Sequence, residues 1–333
     1  MAQDDQRRLA AQLAEAGSRI EPILAELFPH GCCDHLSVPF WHHMSTGGKR
    51  IRPALCLLCC EALGGDAERA LHFAAAVEIL HNMLLVHDDI EDGDTVRRDA
   101  PTVWVKFGTA NAVNLGDYML GRAYEAVLRS PVDAGTRLRL VEAFTDAHVR
   151  TCRGQALDVN SRGREDFRVA DYLDMVTLKT GHYLALGMVG GGIIAGLDER
   201  GVRAIQQLGG SMGPAFQVRD DVIDLTQGKG RGGVVGNDIR EGKPSILYAH
   251  ALSAATGDER QRLIETIRKE RSATTDEDVE WVIGLYERLG SVQFASRKAD
   301  ELVAEAFETI ERIPVENKDF FRRVARFMAE RKS

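Results

Sequence analysis

The chain has 333 residues, 44% hydrophobic and 28% charged, with 42 Lys and Arg against 50 Asp and Glu for a formal net charge of −8. A mildly acidic balance argues against nucleic acid as the main partner. Nine prolines, 6% aromatic residues and almost no two-residue alternation leave little room for a sheet protein.

The first residues, MAQDDQRRLAAQLAEAG, are charged and lack an apolar core, so no signal peptide is expected. Apolar residues then recur at three and four spacing in segments of helical length. They predict helices over roughly 6–27, 50–63, 66–92, 109–129, 132–160, 168–196, 198–226, 239–254, 258–270, 275–311 and 316–331. Asp66, Thr109 and Asp198 are candidate N-caps, and Gly64 and Gly65 stop the second helix. The stretches 70–87 and 183–197 are apolar nearly all round, which places them centrally in a large bundle. Apparent loops, Thr46–Lys49 and Gln227–Gly236, are short and Gly-rich, and nothing marks a domain boundary. The expectation is one all-α domain over 1–333. Its longest uncharged run, Tyr183 to Leu197, is too short and glycine-rich for a membrane span. Cysteines stand at 32, 33, 56, 59, 60 and 152; Cys56, Cys59 and Cys60 fall in the apolar segment LCLLCCEAL with no second ligand pair nearby. Buried thiols are expected there rather than zinc, together with a reducing, cytoplasmic setting.

The segment AVEILHNMLLVHDDIED, from Ala76 to Asp92, is an apolar helical run that ends in acids. Asp88 and Asp92 are one turn apart on one face; Asp89 flanks them, and His81 lies nearly two turns earlier with Leu84 between. Crowded carboxylates repel, and oxygen-only ligands favour a hard ion, magnesium before zinc. The alternative is a solvated acidic helix end. Asp220, Asp221 and Asp224 in QVRDDVIDL repeat the same spacing, which makes coincidence a poor account.

Cations accompany both clusters. Gly47-Gly48-Lys49-Arg50-Ile51-Arg52-Pro53 sets three cations behind two glycines at a helix start, an anion site or a solvated basic turn. It lacks Walker spacing, so ATP hydrolysis is not indicated. Arg97 and Arg98 either neutralise the first cluster or clamp a phosphate. Lys179, beside Thr180 in a long apolar helix, needs an anionic partner. Gln155, Asp158 and Gln217 add hydrogen-bonding groups. Taken together, the residues describe a phosphorylated, otherwise hydrocarbon substrate. Groups that would read a nucleotide base are missing.

GGKRIRP, HDDIED followed by RR, GQALD, LKTG, FQVRDDVID and NDIREGKPS occur in an order that resembles the trans-isoprenyl diphosphate synthases, the polyprenyl synthetase family, through nearly the whole chain. The resemblance implies an all-α homodimer with a deep central cavity and Mg2+ as cofactor. It implies isopentenyl diphosphate and an allylic diphosphate as substrates. Asp88, Asp92 and Asp220 would be the principal magnesium ligands, supported by Asp89, Asp221 and Asp224. Lys49, Arg52, His81 and Arg98 would hold isopentenyl diphosphate. Arg97, Lys179, Gln217 and Lys243 would grip or flank the allylic diphosphate, with Thr180 near the reacting carbons. Arg331 or Lys332 would approach the isopentenyl site.

One position departs from the family: where it usually carries a lysine after a glycine in the loop before Asp238, this chain has Val234 after Gly233. Lys229 and Arg231 in that loop are possible substitutes. The growing tail must extend from Asp88 back along its helix, past Met83 and Leu84 to Leu80, Val77 and Ala76. Family members that stop at farnesyl diphosphate often carry aromatic rings just before the motif, and the longest-chain enzymes carry Ala or Ser. Met83 and Leu84 are intermediate, which implies geranylgeranyl diphosphate, with farnesyl or a longer product as the alternative. Tyr118 and Met119 are candidate caps from a neighbouring helix. A non-catalytic partner subunit would be expected to lose aspartates, and both motifs are whole. A terpene cyclase would need a different second metal motif.

Overall fold

The computed structural model describes residues 2–31, 33–225 and 235–329, with side chains from residue 6 onward. The expected all-α class is what it has. The N-terminal half comprises α1 (Ala2–Ser18), α2 (Glu21–Leu27), α3 (Asp34–Ser45), α4 (Ile51–Ala62), α5 (Leu71–Glu91), α6 (Val103–Phe107), α7 (Thr109–Leu128) and α8 (Ala134–Ser161). There follow α9 (Val169–Val176), α10 (His182–Ile194), α11 (Glu199–Asp224), α12 (Asn237–Arg240), α13 (Ile246–Ala254) and α14 (Gly257–Ile267). The chain closes with α15 (Asp276–Arg288), α16 (Ser291–Arg312) and α17 (Asp319–Ala329). Among the described residues the strands are two short ones, β1 (Val96–Arg97) and β2 (Ala100–Pro101), paired antiparallel.

The chain gathers into two compact units. One comprises Met1–His148, Leu184–Gln207 and Thr309–Phe327; the other comprises Val149–Tyr183, Leu208–Glu308 and Met328–Ser333. In the first, α5 packs along α7 and α4, and α1 packs along α4. Phe73, Ala74, Ala75, Ala76, Val77, Ile79 and Leu80 of α5 are all fully buried, as an all-round apolar helix requires. The stretch Ala67–Glu91 is long and apolar enough to cross a membrane, but 67% of its apolar window is buried inside the protein. Cys56, Cys59 and Cys60 are buried in α4, and Cys59 donates to the Met188 carbonyl at 3.3 Å. In the second unit, Tyr172, Val218, Tyr248, Leu263 and Tyr286 centre a separate core built from α9, α11 and α13–α15.

Sequence expectation and structure differ at several places, and the expected helices 6–27 and 239–254 are each two, α1 with α2 and α12 with α13. The spacing predicts no helix at α3, because Pro39 sits inside it and its apolar spacing is short; Phe40 and Met44 nonetheless bury and hold it. The expected helix 275–311 is two, broken at Gly290, whose φ of 71° ends α15. The expected helix 168–196 is interrupted by a π turn, Thr177–Gly181. Asp66 and Asp198 do cap, accepting from Glu68 N and Gly201 N, whereas Thr109 is the first helical residue and Gly108 is its cap. Lys229, Arg231, Gly233, Val234, Arg331 and Lys332 lie outside the described residues, as does Cys32.

Candidate active site

Helix α5 finishes in acids at the unfavourable end of its dipole. Its last turn carries Asp88, Asp89 and Glu91, then Asp92 as C-cap, and contains no basic residue. Carboxylates there repel the terminal carbonyls and one another. Asp92 N donates to Asp88 O at 2.8 Å, so the two carboxylates stay one helical turn apart. Part of the charge is balanced by Arg97 of β1, whose Nε donates to Asp89 Oδ1 at 2.5 Å and whose Nη2 lies 3.7 Å from Asp94 Oδ2. Asp89 is fully buried, and burial pushes its pKa up to about 6 against the pull of Arg97. Its Oδ2 has no hydrogen-bonding partner among the described residues.

Magnesium takes oxygen ligands and is usually held by one or two carboxylates, water and substrate phosphate completing its shell. Asp88 and Asp92 fit that pattern, and the buried Asp89 Oδ2 beside them is without a hydrogen-bonding partner among the described residues. Among the described residues, no three His, Cys, Asp or Glu side chains form a ready-made metal cage.

The glycine turn before α4 is in the same unit. Gly47 and Gly48 have φ of 92° and 145°, and Arg50 adopts the left-handed conformation, φ 46° and ψ 33°, as the N-cap of α4. Arg98 donates to the Gly47 carbonyl. Arg52 Nη1 donates to His81 Nε2 at 3.4 Å. Burial, then Arg52 and Arg98, hold the His81 pKa well below its ordinary value, so the ring is neutral. Arg52, His81 and Arg98 thus gather at one turn, with Lys49 exposed beside it.

In the second unit, α11 also ends in acids with no basic residue in its last turn. Its three aspartates differ. Asp221 accepts from Tyr172 Oη at 2.7 Å, Gln217 Nε2 at 3.0 Å and Ile246 N at 3.3 Å, and Asp224 Oδ2 accepts from Asp238 N at 3.0 Å. Both are buried within the protein's own network, whereas Asp220 is half-buried. Lys243 pairs with Glu241 at 2.7 Å and lies 3.9 Å from Asp238. Lys179 has the anionic partner that its apolar helix demanded, Asp158, at 2.5 Å. Lys179 and Thr180 occupy the π turn, a form common at functional positions. Glycines let that turn approach its neighbours closely: a Cβ on Gly154 of α8 would lie 2.2 Å from Lys179 N, and one on Gly213 of α11 would lie 2.3 Å from Gly181 Cα.

Residues 33–285 match the sequence profile of the Polyprenyl synthetase family. The chain belongs to the polyprenyl synthetase family. It is 36% identical over 281 residues to a geranylgeranyl diphosphate synthase of Saccharolobus solfataricus, covering 84% of each chain. It is 35% identical over 271 residues to a short chain isoprenyl diphosphate synthase of Methanothermobacter thermautotrophicus, covering 81% of this chain and 82% of that one. The crystal structure of geranylgeranyl pyrophosphate synthetase from Pyrococcus horikoshii superposes with a TM-score of 0.88 at 33% identity, over 98% of this chain and 99% of that one.

For this polyprenyl synthetase, the residues expected from the sequence to bear on product length stand just before the first aspartates. Met83, Leu80 and Val77 are buried on α5, and Leu84 is half-buried. Met119 of α7 is buried. Tyr118 packs edge-on against Phe28, with ring centroids 5.7 Å apart, and lies under the Arg122 guanidinium. Sequence reasoning passed over Tyr172, Glu78 and Asn82. None of them stands in a motif; a buried polar residue in an apolar run was the available signal.

Proposed function

We propose that this polyprenyl synthetase is a trans-prenyltransferase that condenses isopentenyl diphosphate with allylic diphosphates head to tail, with geranylgeranyl diphosphate as its main product. The observation that carries the reading is the presence of two acid-ended helices, each with its own set of cations, in a chain of this family. Arg97 and Lys179 are charged groups for the allylic diphosphate, with Gln217 and Lys243 flanking it. Lys49, Arg52, His81 and Arg98 hold isopentenyl diphosphate. Asp88, Asp92 and Asp220 are the principal magnesium ligands, with Asp89, Asp221 and Asp224 supporting them. Magnesium, when bound, supplies positive charge that stabilises the departing diphosphate.

The chemistry requires no side-chain nucleophile. The allylic C–O bond breaks heterolytically as cations offset the charge on the diphosphate oxygens. The double bond of isopentenyl diphosphate, held close by the glycine turn, attacks the allylic carbon, so catalysis is largely positioning. The condensed cation then loses a proton to restore a double bond, and the released diphosphate is a base within reach. Thr180 lies beside Lys179 in the π turn, near the reacting carbons in this reading.

Product length rests on Met83 and Leu84, side chains of intermediate bulk one turn before Asp88, and the two geranylgeranyl synthases above support the same length. A homodimer agrees with the exposed Val113 and Leu128 of α7 and Leu138 of α8. The three buried thiols suit a cytoplasmic location. The test is to incubate purified protein with Mg2+, isopentenyl diphosphate and each allylic primer, and to identify products by chain length. Twenty-carbon product from shorter primers supports the reading; no consumption of isopentenyl diphosphate with any primer refutes it.

A further inference from the structure

Adjoining the Gly47–Arg52 turn is a chain of buried polar side chains that the condensation does not itself use. Glu78 of α5 is 3% exposed. Its Oε1 accepts from Arg50 Nη1 at 2.9 Å and from Asn82 Nδ2 at 2.9 Å. Asn82 Nδ2 also donates to the Glu78 carbonyl at 2.8 Å, and Asn82 Oδ1 accepts from His43 Nε2 at 3.0 Å. Arg50 reaches outward to Glu21 at 3.4 Å.

Arg50 is a strained residue. A side chain in the left-handed conformation costs about 1 kcal/mol or more and persists only where the surroundings enforce it. The enforcement is visible here. Its guanidinium is held by Glu78, and its Cβ lies 2.6 Å from where Gly17 of α1 would carry a Cβ. Gly48 is backed by both guanidiniums: its Cβ would stand 3.0 Å from Arg98 Nη1 and 3.2 Å from Arg50 Nη1. Burial raises the Glu78 pKa, while Arg50 and Arg52 draw it back down. An expensive buried carboxylate is thus placed among the cations of an anion site, where by charge alone it would weaken anion binding.

We propose that Glu78, acting through Arg50 and braced by Asn82, is a positioning residue that locks the Gly47–Arg52 turn in the shape that receives the diphosphate of isopentenyl diphosphate. This rests on the isopentenyl assignment made above. A mere counter-charge and a positioning group predict opposite signs. If Glu78 only offsets cations, Glu78→Gln leaves the site more positive and tightens isopentenyl diphosphate binding. If it positions the turn, the same change loosens it.

The experiment measures KM for isopentenyl diphosphate and for the allylic primer separately, with kcat, in the full-length enzyme. In Glu78→Gln and in Arg50→Lys, KM for isopentenyl diphosphate should rise about tenfold, the size of one lost charge-assisted hydrogen bond. The allylic KM and kcat should stay within about twofold. Combining Glu78→Gln with Arg50→Lys should cost little more than either alone, because both break one link. An unchanged or lowered KM for isopentenyl diphosphate overturns the inference. So does a joint loss in both KM values and kcat, or additive effects in the double variant. Should Glu78→Gln fail to fold, Arg50→Lys alone still returns one of these answers. A wild-type enzyme that does not consume isopentenyl diphosphate overturns the function and this inference together, whereas an active wild type isolates the failure to Glu78.

Discussion

Asp88 and Asp220 each lie near the negative end of a long helix among other carboxylates, so a bound cation gains most from them. Asp88→Ala or Asp220→Ala should lower turnover by roughly a thousandfold or more, with far-ultraviolet circular dichroism unchanged. Near-normal turnover in either variant would remove that residue from the metal assignment. Chelation with EDTA should abolish condensation and added Mg2+ should restore it. Asp221 should behave differently, because its oxygens serve Tyr172, Gln217 and Ile246 N; its loss should cost stability as well as rate. His43 carries a pH prediction at the same scale. Burial, reinforced by Arg97 and Arg98, lowers its pKa from 6.5 to about 3. The unfolded chain therefore takes up a proton below pH 6.5 that the folded chain refuses until about pH 3. Its contribution to stability is complete above pH 6.5 and is lost as pH falls through that window. Urea midpoints should fall less steeply with acidification in His43→Gln than in the wild type.

Two helix-scale predictions concern close packing and register. Gly154 of α8 faces backbone at Lys179, which cannot move aside as a flexible side-chain end can. Gly154→Ala should destabilise by about 1–3 kcal/mol and reduce kcat, because the π turn carrying Lys179 and Thr180 must shift. Gly121→Ala in α7, with nothing within 4 Å of its Cβ, should instead raise stability by about 0.5–1 kcal/mol. Thermal denaturation of both variants decides the point, and equal effects would refute the packing account. Along α5, Met83 and Leu84 precede Asp88 by about one turn. Met83→Ala combined with Leu84→Ala should lengthen the main product by at least one five-carbon unit. Unchanged chain length would place the floor elsewhere, with Met119 on α7 the next residue to shorten.

At the scale of the whole molecule, the single-domain expectation for residues 1–333 predicts one cooperative unfolding transition, with circular dichroism and tryptophan fluorescence coinciding. Two resolved transitions would show that the compact units unfold separately. By itself, the amino-acid sequence determined the all-α class, the long central helix of the first unit and the two acid-ended segments. Each is written in the spacing of neighbours along one stretch, and three and four spacing is a local property of a helix. Lys179's need for an anion was legible for the same reason, since a charge in an apolar run is costly. Only tertiary structure decided that the anion is Asp158, that Asp89 is tied to Arg97, and that Tyr172 and Ile246 hold Asp221. It alone decided that Glu78 holds Arg50 across a gap of 28 residues. The π turn and the break at Gly290 likewise came from the structure and not from the apolar spacing. Spacing states which residues share a face of one helix. Which face of another helix meets it follows from packing the assembled elements at interior density, where small residues such as Gly154 and Gly213 admit a close approach that larger ones forbid.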